Sequence, residues 1–153
     1  MFLTNVCEKY ELRAKVIPTY WTALVFDVEN DPNRLHVTHK YLGILDDFEV
    51  DDVVETIDRW LGDGWMPVRA VWDQEDQFGP ERDVRVLKPT DPTPVTEHSL
   101  LAPLRVDLDQ FREDDWESYE PHVSTEREQI IVSPLVEYVL MYDEEVVRSW
   151  PAL

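Results

Sequence analysis

The chain has 153 residues, 43% of them apolar, with 6 Trp, 6 Tyr and 5 Phe. That is enough for a single folded domain (residues 1–153) with a real core, and it argues against a disordered segment. Its 33 acidic against 14 basic residues give a formal charge of −19, a surface that repels duplex DNA and long RNA yet can admit a small ligand with few phosphates through a local basic patch.

Cys7 is the only cysteine, so no intrachain disulfide forms, which fits a reducing compartment. No apolar run approaches the roughly 20 residues of a membrane span, and Glu8 and Glu11 interrupt the first stretch, so the chain reads as cytoplasmic, without signal peptide or membrane anchor.

Tyr20 to Val28, rich in β-branched and aromatic residues, predicts a strand buried on both faces. Asn30 to Asn33 is a turn signal, and Leu35 to Tyr41 predicts the next strand, stopped by Gly43. From Phe48 to Leu61 the apolar residues Val50, Val53, Val54, Ile57 and Leu61 recur at helical spacing, with Asp46 or Asp47 as cap and Gly62 or Gly64 as terminator. Met66 to Asp73 and Val84 to Leu87 read as strands, with a turn at Gln77-Phe78-Gly79-Pro80 between them. Lys88 to Pro94 holds three prolines and reads as a stiff connector, around 88–95, between two halves.

Ser99 to Phe111 predicts a second helix, in which Pro103 fits only the first turn. His122 to Ser124, Ile130 to Val132, Leu135 to Met141 and Val146 to Trp150 read as strands. The order predicts an α+β fold of two lobes with sheets facing each other.

One phrase occurs twice: Leu35-His36-Val37-Thr38 and Pro121-His122-Val123-Ser124. On a strand, residues i and i+2 share a face, so each copy presents an imidazole beside a hydroxyl. Phosphodiester cleavage needs a base, an acid and donors for the phosphate oxygens. Histidine suits both proton transfers because its ordinary pKa of about 6.5 lies near working pH. The bland alternative is a pair of hydrogen-bonded structural histidines, and spacing alone leaves the two readings level. His39 is odd-spaced from His36 and faces away on a strand; on a helix the two would share a face as metal ligands, which the β-branched Val37-Thr38 pair opposes. His98 falls near a helix start. Lys40, Arg69, Arg85 and Lys88 are candidates for a local positive patch, against the plainer reading of ordinary surface charge.

His36-Val37-Thr38 followed by Tyr41-Leu42-Gly43, Phe78-Gly79 ahead of Asp83 to Leu87, and Pro121-His122-Val123-Ser124 together resemble the signatures of the 2H phosphoesterase superfamily, the LigT-like phosphodiesterases. The resemblance runs from about Tyr20 to Trp150. It implies a two-lobed, pseudo-symmetric fold, two antiparallel sheets flanking a cleft with helices outside, and cleavage that needs neither metal nor cofactor. It implies His36 and His122 as the acid–base pair and Thr38 and Ser124 as phosphate ligands, Ser replacing the commoner Thr.

The ending Glu144 to Trp150 resembles small phage-encoded members that destroy cyclic oligonucleotide immune signals in the host cytoplasm. It implies Glu144 and Trp150 as substrate-binding residues, with Asp143 or Glu145 as alternatives for the carboxylate; Tyr20 and Trp21 are further candidates to stack a base. The expected activity is cleavage of a small ribonucleotide phosphodiester, either a 3′,5′-linked cyclic oligonucleotide attacked by its 2′-hydroxyl or a 2′,3′-cyclic phosphate attacked by water. The competing class is a non-catalytic protein that sequesters a nucleotide or mimics nucleic acid, although a mimic has no use for paired histidines.

Overall fold

The computed structural model describes residues 17–27, 35–79, 81–113, 118–125 and 134–153. Strand β1 (Tyr20–Phe26) is followed by β2 (His36–Gly43), helix α1 (Asp47–Leu61), β3 (Trp72–Phe78), β4 (Val84–Pro89), a one-turn helix α2 (Thr93–Thr96), α3 (Leu101–Asp107) with a 3-10 turn at Leu108–Gln110, β5 (Val123–Ser124), β6 (Leu135–Tyr142) and β7 (Glu145–Pro151). Hydrogen bonds join the strands in the order β3-β4-β5-β2-β1-β6-β7, with every pairing antiparallel. The β3-β4-β5 half meets the β2-β1-β6-β7 half at the β5–β2 contact, where Val37 pairs with Val123.

Helix α1 starts where the acidic cap signal predicts. Asp46 accepts from the Glu49 amide and Glu49 returns a bond to the Asp46 amide, a reciprocal cap that contributes about 1 kcal/mol. Its Val53, Ile57 and Leu61 are buried with Leu101 and Leu104 of α3 and with Leu24, Val37, Leu87, Val123, Tyr138 and Leu140 of the sheet. Both helices therefore pack against one face of the strands. The opposite face carries a smaller cluster, Ala23, Val25, Val139 and Met141 with Trp21 against it, all of them strand residues.

Several boundaries differ from the sequence reading. Met66 to Val71 is not a strand: Pro67 lacks a donor, and Val68 makes only an isolated bridge to Leu135. The strand is instead the polar run Asp73 to Gln77, closed by Trp72 and Phe78, which lies at the sheet edge and, among the described strands, pairs with β4 alone. Charged residues suit an edge, because they discourage further pairing. The expected turn moves on to Gly79, at φ 101, and Arg82, at φ 53. Lys88 and Pro89 of the expected connector belong to β4, and Thr93 to Thr96 is helical. Gly43 ends β2 at φ 75, a conformation open chiefly to glycine. The second helix begins at Leu101, with Pro103 in its first turn as expected. His98 caps that helix: its Nδ1 accepts from the Leu100 and Leu101 amides at 3.1 and 3.2 Å, and its Nε2 donates to the Met66 carbonyl at 2.8 Å. The expected turn at Asn30 to Asn33, Val28 and the strand at Ile130 to Val132 lie outside the described residues.

Candidate active site

The two histidine phrases lie on adjacent antiparallel strands. With Val37 opposite Val123, the same register sets His36 across from Ser124 and Thr38 across from His122. Val37 and Val123 point into the helix-covered core, so their neighbours in sequence point to the other face. An antiparallel rung has a local two-fold axis, and this one carries His36 onto His122 and Thr38 onto Ser124. The histidines occupy diagonal positions, about 7–8 Å apart at Cα, a gap that suits a phosphate held between two rings.

Each imidazole rests against an aromatic ring. Trp21 of β1 lies 4.9 Å from His36 between centroids, and Phe78 of β3 lies 4.4 Å from His122. The Trp21 indole donates to the Asp143 carbonyl at 2.9 Å, which ties it to the β6–β7 turn. His122 Nδ1 stands 2.9 Å from the Glu120 carbonyl. A carbonyl only accepts, so Nδ1 carries a proton and Nε2 is the ring atom left for proton transfer.

Behind the quartet, β2 carries an irregularity. Ala23 pairs with Thr38 and Thr22 with Lys40, so His39 is an extra residue on its strand. His39 and Lys40 are both buried. His39 Nδ1 lies 2.7 Å from the Tyr138 hydroxyl, itself 2.9 Å from Thr22 Oγ1. Burial away from water, reinforced by the Arg105 and Lys40 cations, lowers the His39 pKa to about 3, and burial likewise holds the Tyr138 phenol protonated. The His39 imidazole is thus neutral at working pH and turned away from His36. Buried Lys40 donates to Asp109, whose side chain is half-exposed.

The remaining sequence-derived candidates scatter. Trp150 is 5% exposed, packs on Tyr138 and donates to Asp58 of α1 at 2.6 Å, so it belongs to the helix-side core and not to the face of the two histidines. Strand alternation decides this, since Trp150 pairs with Tyr138, whose side chain points at the helices. Glu144 lies exposed in the β6–β7 turn. Tyr20 stacks on Tyr142 at 4.5 Å and borders the main core. Of the candidate cations, Lys40 is internal, Arg85 pairs with Glu75 at 3.1 Å, and Lys88, which the β4–β5 register brings beside His122, is held by Asp76 at 3.2 Å and Glu120 at 3.4 Å. Carboxylate contacts raise the Lys88 pKa.

Among the described residues no group of three or more His, Cys, Asp or Glu side chains is placed to hold a metal ion, and no described helix is long and apolar enough to cross a membrane. Sequence reasoning did not single out Phe78 as a ring against His122, nor Tyr119, whose hydroxyl donates to the Thr38 carbonyl at 2.6 Å. Proximity of Tyr119 to His122 in the chain was the available signal.

No protein-family model matches the chain, and no curated protein sequence matches it. Solved structures do. One described as a phosphoesterase superposes with a TM-score of 0.64 over 89% of this chain and 99% of its own, at 13% identity. Escherichia coli LigT, crystallised with NADP+, superposes at 0.60 over 90% and 99%, also at 13% identity. The fold is that of LigT. TT0787 of Thermus thermophilus shares it as well, at 0.60 over 87% and 97% with 14% identity. LigT has also been crystallised with 3′-AMP, ATP and phosphate, so on that protein the fold accommodates small nucleotides.

Proposed function

We propose that the protein is a phosphodiesterase of the 2H type that cleaves a small ribonucleotide, with His36 and His122 exchanging roles as base and acid. The observation that carries this reading is the Val37–Val123 rung, which relates the two phrases by a local two-fold and gathers two imidazoles and two hydroxyls on the face opposite α1 and α3. One imidazole takes the proton from the attacking oxygen as its bond to phosphorus forms. The other gives a proton to the leaving oxygen as the old P–O bond breaks. Thr38 and Ser124 donate to the non-bridging oxygens, where negative charge builds. With a 3′,5′-linked substrate the attacking group is the 2′-hydroxyl, the leaving group is the 5′-oxygen, and the product carries a 2′,3′-cyclic phosphate. With a 2′,3′-cyclic substrate, water attacks and one ribose oxygen leaves.

The charge of −19 favours a small ligand over long RNA. Trp150 lies in the core, which removes an aromatic that argued for a cyclic oligonucleotide, while Trp21 and Phe78 stay beside the quartet. The 3′-AMP held by LigT favours the second reading, a 2′,3′-cyclic phosphodiesterase. The test is a panel of cyclic di- and trinucleotides and 2′,3′-cyclic nucleotides in EDTA. His36→Ala and His122→Ala each lower turnover by about 10²–10⁴-fold, and Thr38→Val and Ser124→Ala by about 10²–10³-fold. Full activity in either histidine variant refutes the two-histidine scheme, and binding without turnover across the panel favours sequestration.

A further inference from the structure

We propose that Tyr119 and Arg105 are positioning residues that set the placement of His122 relative to the His36–Thr38 phrase; the inference rests on the two-histidine reading above. Strand β5 is two residues long; among the described residues it meets β2 at Val37–Val123 and β4 at Val86–Ser124 and Leu87–Val123. His122 lies just outside it, at the end of the segment Tyr119-Glu120-Pro121-His122. So short a ladder fixes register weakly, and the imidazole needs a second fastening to hold its geometry.

Tyr119 supplies that fastening. Its hydroxyl donates to the carbonyl of Thr38 at 2.6 Å, which binds the segment carrying one histidine directly to the strand carrying the other. Arg105 of α3 backs the bond from below. Its guanidinium lies 4.0 Å from the centre of the Tyr119 ring, and its Nε donates to the neighbouring carbonyl, that of His39, at 2.8 Å. The His39 ring meets Tyr119 edge-on at 5.8 Å. Two successive carbonyls of the irregular stretch of β2 are therefore claimed by a stacked Tyr–Arg pair, and the residue after Tyr119, Glu120, offers the carbonyl that orients His122 Nδ1 at 2.9 Å. The fastening and the orienting group are adjacent in the chain, so loosening one moves the other.

Tyr119→Phe removes only the hydroxyl and keeps the ring against Arg105 and His39. The expected result is a kcat about 10- to 100-fold lower with KM within about threefold, because a displacement near 1 Å at the reacting groups costs up to about 10²-fold. Long-range ¹⁵N–¹H spectra of the imidazoles supply a readout independent of turnover. In the wild type His122 shows the Nδ1–H form and in the variant a mixture with Nε2–H, while His98, locked the opposite way by the α3 amides and the Met66 carbonyl, stays unchanged. Arg105→Lys, which keeps a cation and loses the flat stack, gives the same changes to a smaller degree and serves if the first variant folds poorly. An unchanged His122 tautomer in both variants overturns the proposal, as does a kcat loss that merely follows a fall in melting temperature. Absence of turnover in the wild type refutes the phosphodiesterase reading alone, since the tautomer measurement still decides the role of Tyr119.

Discussion

His39 makes acid stability a sharp test of the packing behind the site. Its pKa in the fold is about 3 against an ordinary 6.5. Between those values the unfolded chain binds a proton that the folded chain refuses, so stability falls as pH drops from 6.5 towards 3 and is fully present above 6.5. At about 1.36 kcal/mol per pH unit the whole interval is worth about 5 kcal/mol, of which about 2 kcal/mol is lost between about pH 7.5 and about pH 5. That is a sizeable share of the roughly 5–15 kcal/mol that holds a domain folded. The experiment is urea unfolding of wild type and His39→Gln at both pH values. Taking the difference of the two slopes removes the shared titration of the carboxylates and the other histidines. The wild type should lose about 2 kcal/mol more than the variant. Equal slopes, or a His39 ring signal that titrates above about pH 5 by NMR, refute the assignment of a buried neutral imidazole.

Other substitutions separate core from site. Trp150→Ala should cost about 3–5 kcal/mol in urea unfolding, as for any large aromatic removed from a core, with KM within about twofold of wild type; Trp21→Ala should impair turnover as well as stability, because its ring lies beside His36 and also packs on the smaller cluster and bonds the Asp143 carbonyl. The Lys40–Asp109 pair should contribute modestly, because the Asp109 side chain is 43% exposed: Asp109→Ala should lower stability by about 1 kcal/mol in thermal unfolding.

Much of the geometry of the candidate site was legible because the signals are local. A period of two places His36 with Thr38, and His122 with Ser124, on one face wherever the strands lie, and the same rule turned His39 away. The helix Asp47–Leu61 was equally plain, since its apolar stripe and acidic cap both lie within one segment. The strand Trp72–Phe78 was hidden because its interior is polar; pairing with β4 at a sheet edge, not propensity, makes it a strand. Trp150 was misplaced for a related reason: an aromatic near a chain end carries no mark of which face of the sheet it will meet.

The sequence by itself determined two imidazole–hydroxyl pairs, the alternation that puts each pair on one face and a formal charge of −19. Only the tertiary structure decided that the pairs are direct neighbours related by a two-fold rung, that Trp21 and Phe78 back them, and that Tyr119 spans from one to the other. Alternation is a property of one backbone, set by local sterics, whereas register and neighbour choice arise from burying Val37, Val123 and the rest of the core together against α1 and α3.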